Sequence, residues 1–499
     1  MNSAASSRVA PLRDFSDRLS PMVVKELRHG LRTRFFTSAL ILFHWLLIML
    51  LGSTMVGVST EQVNELFWIL SLIAMLGAVP IRGFTALASE LDSNTLDMLT
   101  LTSISSFRIV WGKWTALFSQ SLLLMCSLLP YIVARYQFGG VEILREIIGL
   151  IFLLLGSALA TAAFVGFSSQ TTRLVRGMLV VALSAGLLPL GVFVNVFVNE
   201  SGGDSMLRSF LALPIWQMAL FVIGFLGVTT YGVYFFLALG ASMIAPPSEN
   251  HSTVKRLVSF TALLSLLMLG LFLTTAVSSD AGFWAFAPLM ILTLLNGMDL
   301  LTESLPKLPT VVLPIVKQKK LPTRLLGSFL YPGWCSGVFL YLVLAVMPMT
   351  LLTVMTGVRR GSFDDEFFSV MACFLIAPLV PVCVRVNRKD YFVNWWAVTM
   401  IQVGLGILMA VFCGATGSRD LAGIGMFTPI TTLFGAAIGS SRSSGVLGAG
   451  VGISLIWAGA AIALAIREWP RIRELEAEAE LMLLREKNAA SPAPSPLSS

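Results

Sequence analysis

The sequence predicts an all-α, polytopic transmembrane helical bundle of about 12 spans (12–13). Three observations predict it. The 499 residues are 56% hydrophobic and only 12% charged, against roughly a quarter charged in soluble domains. Apolar runs of about 20 residues, each long enough to cross a bilayer core, recur between positions 37 and 466. Lys and Arg collect in the loops of one side, as cytoplasmic loops do. Such runs must be helices, because hydrocarbon offers no partner to an unpaired backbone amide.

The first 36 residues read as a cytoplasmic N-terminus. Ser20 as N-cap and Pro21 at the first helical position start a helix. Val24, Leu27, Leu31 and Phe35 recur at helical spacing, while Lys25, Arg28, Arg32 and Arg34 take other faces. The pattern is that of an amphipathic helix lying in the membrane interface before the first span. That span follows a charged segment and is long, so it reads as an anchor, not as a cleavable signal.

Spans are expected near 37–57, 64–88, 114–134, 146–168, 177–198 and 215–243, which with their loops form a six-span unit over 37–245. Within it the inner loop 89–113 reads SELDSNTLDMLTLTSISSFRIVWGK. Asp92 or Ser93 caps a short helix through Leu101, and Ser105 or Ser106 caps the next span. A capped helix between two membrane helices is a small rigid knob, with apolar Leu96, Leu99 and Leu101 and acidic Glu90, Asp92 and Asp97.

Pro246 and Pro247 stop the sixth span, and 246–328 reads as a linker region holding two spans, 257–277 and 282–299. Its end, 300–328, is basic and proline-punctuated (Lys307, Lys317, Lys319, Lys320, Arg324), a stiff connector on an anionic leaflet. A C-terminal membrane domain, 329–466, carries spans at 329–356, 367–384, 392–413 and 444–466. The stretch 422–439 reads as a segment that does not fully cross. The tail 467–499 reads as a charged helix with an apolar stripe at Leu475, Met482 and Leu483, then a disordered end. Its basic residues place the C-terminus, like the N-terminus, on the cytoplasmic side.

The region 21–244 resembles the membrane subunit of bacterial type-2 ABC transporters, the export-type permeases that work with a separate ATPase, in a larger variant with extra C-terminal spans. The residues that carry the resemblance are Glu90, Thr95, Leu96, Asp97, Leu99, Thr102, Ser105, Ile109, Gly112 and Lys113. Asn94 stands where that family has Gly, and Ser103 where it has Pro. The resemblance implies that the 90–102 helix is a coupling helix docking on a nucleotide-binding subunit. Glu90, Asn94, Thr95, Leu96, Asp97, Leu99 and Thr102 are then its contact residues. It implies an ABC-type ATPase in trans, a homodimer or a second permease, and a bacterial inner membrane. The chain has no phosphate-cradling G-x-x-x-x-G-K-[ST] loop of its own, so ATP hydrolysis is expected from the partner and no cofactor from this chain.

Other chemistry finds little support in the residues. His29, His44 and His251 are far apart, without metal-ligand spacing, so no metal site and no catalytic residue is assigned. His44, inside the first span, suits helix-to-helix hydrogen bonding. The five cysteines lack C-x-x-C spacing and read as small packing residues. The net charge of +7 is what positive inner loops facing anionic lipid produce, with no call for nucleic acid. Arg82, Asn195 and Asn296 are the intramembrane polar candidates for a pathway or for packing, with Gln120, Gln217 and Gln402 beside them. Glu65 and Asp299, at span ends, read as solvated. Gly448 and Gly452 have the small-xxx-small spacing of close helix contact. An ion-coupled secondary carrier and a polytopic enzyme on lipid-linked substrate are the alternatives. The first calls for paired ionisable groups near the midplane, the second for an acidic or histidine cluster, of which 363–367 (FDDEF) is the only hint.

Overall fold

The computed structural model describes residues 21–88, 105–139, 142–169, 177, 212–246, 249–317, 329–359, 365–384, 390–416, 427–438 and 443–490. Among them every regular element is helical. Among the described residues ten helices are long and apolar enough to cross a membrane, compatible with a multi-pass membrane protein. The expected span 177–198 falls outside the described residues, apart from Gly177.

The chain divides into two compact units. The first holds residues 1–219 and 236–244; the second holds 220–235 and 245–499.

The first unit begins with α1 (Pro21–Arg32), separated from α2 (Arg34–Met55) by Thr33 in extended conformation. Lys25, Arg28 and Arg32 are exposed while Val24, Leu27 and Leu31 are half-buried. The second span is not one regular helix. It runs as α3 (Thr60–Leu72), a π turn (Ile73–Ala78) and α4 (Val79–Gly83). A π turn frees carbonyls from the α ladder. Here Ser157 Oγ donates to Met75 O at 2.7 Å and shares a hydrogen bond with Ser121 Oγ at 2.8 Å. Next come α5 (Ser106–Phe138) and α6 (Ile143–Phe167). Phe43, Leu47, Phe67, Trp68, Leu128 and Leu153 form the core they share with α2 and α3. The last turns of α7 (Ile215–Ile244) approach α6 where both chains lack a side chain. A Cβ at Gly166 would strike the Phe236 carbonyl, and one at Gly240 would meet the Gly166 backbone at 2.9 Å.

In the second unit α8 (Ser252–Ala276), α9 (Ser279–Thr302) and α11 (Trp334–Arg359) pack together. Between α9 and α11 lie a 3₁₀ turn (Pro309–Val311) and α10 (Leu313–Val316). A Cβ at Gly297 would run into the Tyr341 ring, and one at Gly337 into the Leu300 carbonyl. The stretch expected as a span at 367–384 is broken into α12 (Asp365–Ile376), a 3₁₀ turn (Ala377–Leu379) and α13 (Val380–Cys383). Pro378 and Pro381 cause this, since proline removes the donor and clashes with the preceding turn. The carbonyls around the break find side-chain donors: Tyr341 for Leu375, Trp395 for Pro378 at 3.1 Å, and Asn394 for Pro381 and Val384 at 3.1 and 3.0 Å.

Three elements complete the second unit: α14 (Tyr391–Thr416), α15 (Pro429–Ile438) and α16 (Ser443–Ala490). Ten residues give α15 a length of about 15 Å, half a hydrocarbon core. One expectation is corrected here, the close contact at Gly448 and Gly452. The last span and the tail are one helix, with Pro470 inside it; Ile472 and Ala479 are buried, and the helix contacts the 309–316 segment. Close contact along it runs through Gly450, whose Cβ would meet Thr432 and Cys373. Gly448 and Gly452 face open space, because the helix is rotated from the phase their spacing suggests.

Candidate functional site: the frame of the first inner loop and the buried charges

The residues assigned to coupling, Glu90, Asn94, Thr95, Leu96, Asp97, Leu99 and Thr102, lie outside the described residues. So does Asn195. What the structure describes is the frame in which that loop is set. On one side α4 ends at Gly83 and turns carry the chain to Leu87 and Ala88, both buried. The Leu87 amide donates to Ser168 Oγ at 3.3 Å. Across the loop, Ser105 occupies the N-cap position of α5 without a side-chain cap. Ser106, Ile109, Gly112 and Lys113 are then buried in its first two turns.

Both stems are tied to α1. Lys113 Nζ stands 3.6 Å from Glu26 Oε1 with the lysine 6% exposed. Arg82 Nη2 donates to Thr33 Oγ1 at 2.8 Å and to Gly30 O at 3.5 Å, and Arg82 Nη1 donates to Gln120 Oε1. The guanidinium also lies over the Phe36 ring at 5.7 Å. Gly30 permits this arrangement, since the Gln120 amide fills the space a Cβ would need. Arg82 therefore reaches across to α1 and α5. One planar fork with donors on two sides joins three elements, which a lysine could not do. Lys25, Arg28, Arg32 and Arg34 remain on the exposed side.

At the other end of the α5–α6 hairpin, Arg135 and Glu146 form a two-point ion pair, Nη1 to Oε2 at 2.8 Å and Nη2 to Oε1 at 3.2 Å. Both side chains are almost fully buried. Trp68 Nε1 donates to the same carboxylate at 3.3 Å, and Arg135 lies 4.0 Å above the Phe67 ring. A cation in the last turn of one helix and an anion in the first turn of the next also suit the two helix dipoles.

The second unit holds charges that sequence reading missed. Lys255 and Arg256, taken as loop residues, are on the first turn of α8 and buried. Lys255 Nζ donates to Asp299 Oδ1 at 2.8 Å. Asp299, expected to be solvated, is 7% exposed. Arg256 binds Glu303 at 2.5 Å, Ser336 Oγ at 2.7 Å and the Gly333 carbonyl at 2.8 Å. The signal was present as two adjacent cations opening one span and two acids four residues apart closing the next.

The remaining candidates divide. Asn296 pairs across helices with Tyr231, the hydroxyl donating to Oδ1 at 3.0 Å. His44 does not bond another helix; its Nδ1 donates to Leu40 O of its own helix at 2.8 Å, and its ring meets Tyr131 edge-on at 5.7 Å. Glu65 is exposed. Asp364 is outside the described residues, and Asp365 and Glu366 are described only as backbone at the start of α12. Gln402 is 2% exposed, and both of its amide atoms lack a hydrogen-bond partner among the described residues. No family model, curated protein or solved structure matches the chain.

Proposed function

We propose that this chain is the membrane permease subunit of an ATP-driven exporter, set in a bacterial inner membrane with both termini cytoplasmic. A separate ABC-type ATPase drives it through the 90–102 segment. The observation that supports this reading most is the frame of that loop. Arg82 on one stem and Lys113 on the other both bind α1, so force applied between residues 89 and 104 meets a braced set of helices instead of two loose ends. A rigid-body rocking mechanism needs such a brace. One coupling segment per chain makes a homodimer, or pairing with a second permease, part of the proposal.

A secondary carrier would use paired ionisable groups near the bilayer midplane. The Lys255–Asp299 pair does not suit that role. Lys255 is in the first turn of α8 and Asp299 in the last turn of α9, about 5 Å from the helix ends at 1.5 Å per residue, a position that fits packing better than transport.

The test is affinity purification of the full chain co-expressed with its encoding neighbours, comparing wild type with Glu90→Arg plus Asp97→Arg. An ATPase that accompanies the wild type and is lost from an equally monodisperse double variant supports the coupling assignment. An ATPase absent from both preparations overturns it.

A further inference from the structure

The last turns of α16 expose apolar side chains where no lipid reaches them. From Arg467 onward charged residues recur too often for hydrocarbon to hold the helix. Leu481 lies about 21 Å beyond Arg467 at 1.5 Å per residue, well past a headgroup layer of roughly 5–8 Å. Yet Leu481 and Leu484 are 54% and 56% exposed, and Ala477, one turn earlier, is exposed with them.

The surrounding residues follow a heptad. With Leu481 at a and Leu484 at d, Ala477 is the preceding d, and Ile472 and Ala479 are both f. Ile472 and Ala479 are buried, so the helix rests on its own unit by the f side and turns its a and d residues away. Glu474 takes the a position before Ala477, beside Arg473, so the apolar seam starts at Ala477. The e and g positions carry opposite charges in a fixed order: Arg473 at g with Glu478 at e, then Glu480 at g with Arg485 at e. All four are exposed. Residues five apart are not neighbours on one helix. In a parallel two-stranded coil, however, each g residue faces the e residue five positions on in the other strand.

We propose that this seam is the docking surface for a second copy of the chain, with the two C-terminal helices parallel and in register. Leu481 and Leu484 meet their own counterparts, and each charge pair occurs twice about the two-fold axis. The complementarity lies between the chain's own e and g positions, which is why the occupant is another copy and not a foreign helix. Two heptads are too short to hold soluble chains together. Chains anchored side by side in one membrane meet at a high effective concentration, and a short seam then suffices. The pairing does not rest on the exporter reading, and its test needs no ATPase.

The experiment oxidises isolated membranes containing the full-length protein with copper phenanthroline and measures covalent dimer. Wild type, with its native cysteines, sets the background. Leu481→Cys and Leu484→Cys should each give at least fivefold more dimer than Met482→Cys, which falls at b. In the Leu481→Cys chain, Arg473→Glu should lower the yield at least threefold by setting like charges against Glu478. Adding Glu478→Arg should restore it, because both copies carry the reversal and opposite charges meet again. Glu480→Arg with Arg485→Glu repeats the test at the second pair if the first reversal folds poorly. Dimer at 481 and 484 no more abundant than at 482 overturns the proposal. So does a double reversal no better than the single one, or a crosslink to a different protein in place of the dimer.

Discussion

Lys255 and Asp299, on neighbouring helices of the second unit, meet at 2.8 Å with only 4% and 7% of their side chains exposed. Removing one member strands the other charge where water cannot reach it, a loss of about 3–5 kcal/mol. Replacing both with apolar residues of similar volume strands nothing. Asp299→Asn should therefore lower the melting temperature sharply in detergent, while Lys255→Met with Asp299→Leu should stay near wild type. A single variant no worse than the double would mean that the pair is hydrated in solution.

Arg82 governs the first unit in a different way, by geometry more than by charge. Its two terminal nitrogens serve Gln120 on α5 and Thr33 after α1. Lysine keeps the charge but can satisfy one side at a time. Arg82→Lys should release α1, at a cost of about 1.5–3 kcal/mol for the lost charge-assisted bonds. Hydrogen exchange should then accelerate in 21–32 and stay unchanged in α6. Unchanged exchange in 21–32 would show that the Lys113–Glu26 pair alone anchors the helix.

What the residues reveal beforehand follows from which physical signal is one-dimensional. Span length and apolarity are summed along the chain, so α2, α5, α6, α7, α8, α9, α11 and α14 are legible in the sequence to within a few residues at many of their ends. The break at Pro378 and Pro381 is not, because hydropathy stays high through it. The partnership of Lys255 with Asp299 depends on two helices lying side by side, and a charged run after Pro246–Pro247 looks like any cytoplasmic loop. Phase is equally hidden: Gly448 and Gly452 carry the spacing of a contact that Gly450 makes. The frame of the 89–104 segment is half legible. Arg82, Gly112 and Lys113 stood out, but nothing local to Gly30, Thr33 or Glu26 announces what they hold.

Glycine replacements separate true close approaches from permissive positions. At Gly166 a methyl group would overlap the Phe236 carbonyl, and backbone cannot step aside as a side chain can. Gly166→Ala should cost about 1–3 kcal/mol, as overpacking does. Gly448→Ala, with open space around it, should be neutral or more stable by up to about 1 kcal/mol through reduced chain entropy. Thermal stability measured on the two variants in parallel checks the helix phase directly. Equal loss at both positions would contradict the open face on which Gly448 lies.

The Arg135–Glu146 pair tests whether burial or distance sets the worth of an ion pair in this protein. Arg471 and Glu468, on the C-terminal helix, are closer at 2.6 Å, yet the arginine there is 69% exposed. Arg135 and Glu146 are 3% and 2% exposed at 2.8 Å, with Trp68 adding a third bond to the carboxylate. An exposed pair three residues apart contributes at most about 0.5 kcal/mol, because water screens it in either state. Glu146→Gln should cost about 3–5 kcal/mol by leaving the Arg135 charge uncompensated, and Trp68→Phe only about 0.5–1.5 kcal/mol for one hydrogen bond. Detergent unfolding of the three variants should rank Glu146→Gln far below Trp68→Phe, with Arg471→Ala nearest wild type. If Arg471→Ala were the worst of the three, proximity would outweigh burial, and the α5–α6 hairpin would owe its closure to apolar packing instead of this pair.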